Sequence, residues 1–252
     1  MILLPVDVQR LGWVLEREWT QNRTNIFDAT PVVRDLESIL TLIRCQKPGA
    51  SFFRVVKISI DDAWLERPFT YASGGYPFSN LIPSIHTVSK EDLTELTSLI
   101  GKFIFFAKSN RSSIGVALAR FRQGCLKVDH VDKLIDHVIS LEASLLPGIK
   151  YELSLRFALR GATLLARSPG ERDTVFRDLK EAYSQRSDIV HGSSQNTGTV
   201  RVQDIESMAG KTLVVLSQLM SEPSRHMEFM KTIERFGISG EEPKFLLDHV
   251  KG

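Results

Sequence analysis

Arg186 and His191 stand five residues apart near the end of a long helical pattern, with Tyr183 just before them and Ser187 between them. Arginine is a permanent, planar cation suited to phosphate, and histidine titrates near neutral pH and can pass a proton. Residues four apart share a helix face, so His191 lies beside Ser187 and Ser187 beside Tyr183, two hydroxyls able to orient a bound anion. Arg186 and His191 themselves leave an ideal helix about 140° apart. They converge only if the last turn distorts or a second copy of the chain supplies one of them.

The surroundings of the charges are unusual. At about 100° per residue, Val175, Phe176, Leu179, Ala182, Ile189 and Val190 fall in one apolar arc with Arg186 near its centre. On the preceding helix, Val131, Leu134, Ile135, Val138, Ile139, Leu145 and Leu146 share a side with Glu142 in its middle. An unpaired buried guanidinium costs several kcal/mol. Glu142 is therefore expected to face Arg186, with Arg156 and Arg160 as rival partners for the carboxylate. A structural ion pair that fixes helix register would explain Glu142 equally well. Gly192 suits the residue just past a helix end, and His191 alone would read as a complement to the helix dipole.

The elements that must position these residues are helices. Helical periodicity runs over about 112–125, 129–146, 150–167, 171–190 and 202–221, broken at Gly124, Pro147-Gly148, Pro169-Gly170 and between Gly192 and Gly198. Links this short favour antiparallel neighbours in a bundle. Pro223 ends the last long helix, and Gly237 and Gly240 separate two weak helical segments beyond it. Upstream the signals mix. Val6 to Trp19 and Pro31 to Cys45 have helical spacing, Phe52 to Ile60 reads as a strand, Tyr71 to Pro83 is rich in turns, and a helix opens at Ser89 with Asp92 in its first turn. The expected fold is mainly α: a C-terminal antiparallel helical bundle over 111–222, preceded by a small mixed α/β or irregular helical module over 1–110 and followed by a helical extension over 223–252.

Once these elements are in order, EAYSQRSDIVHG (Glu181 to Gly192) resembles the signature of the HEPN superfamily, an Arg followed within a few residues by a His at the end of a long helix. ALARFRQG (Ala117 to Gly124), LIDHVISLEASL (Leu134 to Leu145) and LSLRFALRGATLLA (Leu153 to Ala166) occur in the order and spacing of the ApeA-like branch, so about residues 112–221 are similar to it. The resemblance implies an all-α bundle that pairs with a second copy, bringing two Arg/His motifs into a shared cleft. It also implies metal-independent cleavage of single-stranded RNA without a cofactor, in defence or toxin–antitoxin settings with an operon-encoded protein partner. Arg186, His191 and Ser187 would be the catalytic residues, with Glu142, Tyr183 and Asp188 in support. Relatives that cut RNA often carry Asn, Asp or His where this chain has Ser187. That leaves a second reading, a non-catalytic module that binds RNA or nucleotide or dimerises.

Composition narrows the field. The chain has 252 residues, 42% hydrophobic and 25% charged, with a formal net charge of +2. Those figures exclude disordered and collagen-like classes and argue against wholesale coating of nucleic acid, while a local basic cleft stays open. No stretch reads as a membrane span, since Ile100 to Ala107 is short and contains Lys102. The N-terminal MILLPVDVQR lacks signal-peptide features, and Cys45 and Cys125 read as packed, reduced thiols, together suggesting a cytoplasmic protein. His130 and His137 fall on one polar face with Lys133, expected to be solvated rather than metal-binding. Neither YASGGYPF nor GISGEEPK has the spacing of a phosphate-cradling loop. Trp13, Trp19 and Trp64 are expected in the core of the N-terminal module.

Overall fold

The computed structural model describes residues 30–46, 56–57, 70–71, 90–108, 113–193, 196–220 and 225–239. The chain divides into two compact units, Met1–Ser38 and Ile39–Gly252. Helix α1 (Thr30–Gln46) runs across that division. In the first unit the described residues are the opening turns of α1, where the Ser38 hydroxyl donates to the Arg34 carbonyl at 2.8 Å.

The second unit is mainly α. After α1 comes a two-residue antiparallel pair, β1 (Val56–Lys57) with β2 (Thr70–Tyr71), in the register Val56 to Tyr71 and Lys57 to Thr70. Then follow α2 (Lys90–Ala107), α3 (Ser113–Leu126), α4 (His130–Leu145), α5 (Leu153–Leu165), α6 (Pro169–Val190), α7 (Val202–Leu219) and α8 (His226–Ser239). The expected helix at Val6 to Trp19, the three tryptophans and most of Phe52 to Ile60 and Tyr71 to Pro83 lie outside the described residues. No helix among the described residues is long and apolar enough to cross a membrane.

Local chemistry sets the helix ends. The Asp129 carboxylate accepts from the Val131 and Asp132 amides at 2.8 and 2.9 Å and so starts α4. Ser168 caps α6 by accepting from the Glu171 amide, and Glu171 reaches back to the Arg167 amide at 2.8 Å. This is a variant of the capping box. Pro169 therefore begins the helix rather than breaking it, because a first-turn proline has no hydrogen bond to lose.

Three-residue links fold α4 back along α3 and α6 back along α5, and α7 crosses α4. The core of Phe103, Phe121, Leu134, Leu141, Phe157, Leu179 and Leu213 is shared by α2 through α7. Two glycines behave otherwise than their sequence suggests. Gly124 lies inside α3, where an added Cβ would fall 2.7 Å from the His137 ring. Gly237 lies inside α8, where a Cβ would meet Thr163 Oγ1 at 2.5 Å and Leu159 Cδ1 at 2.9 Å. Both allow close approach of a neighbouring helix instead of ending their own.

The α8 helix is tied to α5 by charge. Arg160, 1% exposed, sets Nη2 2.5 Å from Glu234 Oε2 and donates from Nη1 to the Leu145 carbonyl at 2.7 Å. Arg156 joins the same carboxylate group and also pairs with Glu152. At the start of α8, His226 donates from Nε2 to the Ser144 carbonyl at 2.6 Å, while Nδ1 accepts from the Ser113 hydroxyl at 2.9 Å. That pattern selects the neutral Nε2–H form, and burial pushes the imidazole down to about 4.

Candidate functional site

The sequence places opposite charges in the apolar arcs of α4 and α6, and these helices pack together. Arg186 Nη2 stands 3.5 Å from Glu142 Oε2, with the two side chains 26% and 20% exposed. Burial pushes the Glu142 carboxyl above its ordinary range, and the Arg186 charge opposes that rise. Arg186 Nε is buried with no hydrogen-bond partner. The ion pair with Glu142 holds the guanidinium, which stays partly exposed. Arg156 and Arg160, the rival partners, are committed to Glu234 on α8 instead.

Tyr183, one turn before Arg186, is half-buried and packs its ring on Phe157, the centroids 5.3 Å apart and tilted by 54°. Burial raises its phenol above the ordinary value, the Glu142 charge adds to the rise, and Arg186 opposes it. Glu142, Arg186 and Tyr183 therefore form one electrostatic group at the α4–α6 contact. Val190, placed by its spacing in the apolar arc, is exposed.

At that end the chain closes in a Schellman turn. Gly192, at φ +76°, donates to the Ile189 carbonyl at 3.0 Å, and Ser193 donates to the Asp188 carbonyl at 2.7 Å. The His191 amide still donates to the Ser187 carbonyl at 3.0 Å, while its own backbone, at φ −87° and ψ 3°, has left the helix. His191 and Asp188 are exposed and Ser187 is half-buried. The following segment is strapped back along α6, where Gln185 donates to the Asn196 carbonyl at 2.8 Å and Thr199 donates to Glu181. Within one chain, then, Glu142, Tyr183 and Arg186 come together and His191 is exposed, five residues on, where an ideal helix would set it about 140° around from Arg186.

His137 overturns the expectation of a solvated face. Its side chain is 0% exposed, its ring 5.5 Å from that of Phe121, while His130 is exposed. Because α4 is enclosed by α3 and α7, even its polar side is interior, with Ser140 donating to the Ala117 carbonyl at 2.8 Å. Burial pushes His137 down to about 3. Close to it lie Cys125 of α3 and Glu206 of α7, a grouping that no sequence spacing announces. Cys45 and Cys125 are both buried free thiols. Comparison of the chain with protein-family models, curated proteins and solved structures finds no match.

Proposed function

We propose that this chain is an RNA-directed protein of HEPN type, a metal-independent endoribonuclease that acts in the cytoplasm as a pair of copies. The observation that carries the proposal is Arg186, a partly exposed guanidinium braced by Glu142, a turn and a half before an exposed imidazole. The RNA 2′-oxygen attacks the adjacent phosphorus and the bond to the 5′-oxygen breaks, leaving a 2′,3′-cyclic phosphate and a 5′-hydroxyl. His191 takes the 2′-hydroxyl proton or gives a proton to the departing oxygen, and the second copy's His191 can take the complementary role. Arg186 offsets the charge that gathers on the phosphoryl oxygens, while Tyr183 and Ser187 orient the phosphate. A defence or toxin–antitoxin setting with an operon-encoded partner goes with the same reading.

Wild type and His191→Ala, each given RNA and DNA of one sequence, provide the test. Cutting of RNA alone by wild type, with cyclic phosphate ends, supports the proposal. Equal cutting by both proteins removes His191 from the mechanism. The second reading, a non-catalytic RNA-binding or dimerisation module, draws on Glu142 already balancing Arg186. It expects salt-sensitive RNA binding without turnover.

A further inference from the structure

One group of reactive side chains stands apart from the Arg186 site. Cys125 in the last turn of α3, His137 in α4 and Glu206 in α7 each offer one ligating atom, and these atoms lie within 4.8 Å of one another. All three residues are buried. His137 leaves α4 about 140° around from Glu142, so this group belongs to a different face. Among the described residues, neither ring nitrogen of His137 has a hydrogen-bond partner. Its Nε2 is 3.9 Å from Glu206 Oε2, beyond hydrogen-bond reach. Phe121 packs on the ring, and the missing side chain at Gly124 leaves room for it. A fully buried imidazole is thus held beside a carboxylate and a thiol with its own lone pair unused.

We infer that Cys125, His137 and Glu206 form a site for one divalent zinc ion that ties α3, α4 and α7 together. Zinc takes thiolate, imidazole and carboxylate donors in a tetrahedron with bonds of about 2.0–2.3 Å, which sets the donors about 3.3–3.8 Å apart. The 3.9 Å between His137 Nε2 and Glu206 Oε2 is already near that spacing. A sulfur and a nitrogen donor select against magnesium and calcium, which take oxygen. Charge selects the valence. With Cys125 as a thiol and His137 neutral, the Glu206 carboxylate gives the three donors one negative charge. Zinc displaces the thiol proton, which leaves to solvent, and thiolate and carboxylate then balance the two charges of the ion. A monovalent ion would leave a negative charge on the buried donors. Burial first and the Glu206 charge next push the Cys125 thiol up, and an ion set between sulfur and carboxylate removes the second cause. Arg44 and Lys133 oppose that rise, and their positive charges repel the ion, holding its affinity below that of a four-donor site. The fourth position of the tetrahedron falls to water. Cys125 is one residue from the end of α3, where local opening admits the ion. Set on a different face from Arg186, the ion serves the packing of the bundle and takes no part in phosphate chemistry.

The test titrates the reduced, metal-free full chain with zinc chloride against the competing chelator zincon. One zinc per chain is expected to leave the chelator, with X-ray absorption giving one sulfur and otherwise nitrogen or oxygen neighbours. Cys125→Ser, His137→Gln and Glu206→Gln should each weaken binding at least about tenfold, and Cys45→Ser should retain it. Since core substitutions can unfold a chain, wild type carries the deciding measurement. Its His137 ring resonances should shift at one equivalent of zinc, return when the metal is stripped with EDTA, and stay in place with magnesium. Ring signals that do not move, or that move equally with magnesium, overturn the assignment. So does failure to draw zinc from the chelator, and so do two sulfur neighbours, which would give the metal to the two cysteines.

Discussion

Glu142 on α4 and Arg186 on α6 meet Oε2 to Nη2 at 3.5 Å, each in the middle of an otherwise apolar run. Both side chains are less than a third exposed, so water screens the pair only in part. Removing one partner strands the other charge. Glu142→Ala is expected to destabilise the fold by ~1–3 kcal/mol, and the double variant Glu142→Leu/Arg186→Leu to recover most of that loss. Urea unfolding of the wild type, both single Leu variants and the double variant gives the coupling energy. Additive single effects would mean that the two charges do not sense each other.

The Glu142–Arg186 relationship was legible in the sequence because each charge breaks the periodicity of its own helix, and periodicity is a local property. The helix end at Gly192 was legible for the same reason, since it acts through the backbone of its own segment, whereas Pro169 read as a break and instead opens α6. What stayed hidden is set between helices. Gly124 and Gly237 look like breakers until the His137 ring and the Thr163 and Leu159 side chains occupy the space they leave. His137 looks solvated because its neighbours on α4 are polar, and only the enclosure of α4 by α3 and α7 makes that side interior. Arg156 and Arg160 found Glu234, more than seventy residues away on the first of two segments whose helical pattern reads as weak.

His226 makes stability depend on pH. Its folded form titrates near 4, lowered first by burial and then by Arg160, against an ordinary value of 6.5. Between those values the unfolded chain takes up a proton that the folded chain refuses, so stability rises with pH across the window and is lost as pH falls. The slope from this residue is up to ~1.4 kcal/mol per pH unit. Urea midpoints at pH 7 and pH 5 should converge for wild type and His226→Gln as pH drops. Parallel midpoints at both pH values would remove His226 as the source.

Two helical glycines should respond with opposite signs to the same substitution. Gly101 on α2 has nothing within 4 Å of an added Cβ, so Gly101→Ala gains helix propensity and should stabilise by ~0.5–1 kcal/mol. Gly210 on α7 faces the backbone of α1, where a Cβ would stand 2.6 Å from the Cys45 carbonyl oxygen. Backbone cannot rotate away as a side chain can. Gly210→Ala should therefore destabilise by ~1–3 kcal/mol despite the same propensity gain. Thermal melts of the two variants decide it, and a stabilised Gly210→Ala would show that α1 and α7 stand further apart.

The direction of His191 separates the dimeric site from any single-chain one. Residues five apart leave an ideal helix about 140° around from each other, so on the proposed reading the imidazole of a second copy completes the phosphate site. Since His191 is exposed, His191→Ala should leave stability within about 0.5 kcal/mol while lowering RNA cleavage by ~10²–10⁴-fold. Arg186→Ala should lower cleavage by ~10²–10³-fold. Co-refolding the two inactive variants produces mixed pairs in which one intact Arg186 faces one intact His191. Cleavage by that mixture should rise clearly above the average of its parents. A mixture that merely averages them would mean that Arg186 of one copy does not work with His191 of the other, and the endoribonuclease proposal would have to be withdrawn.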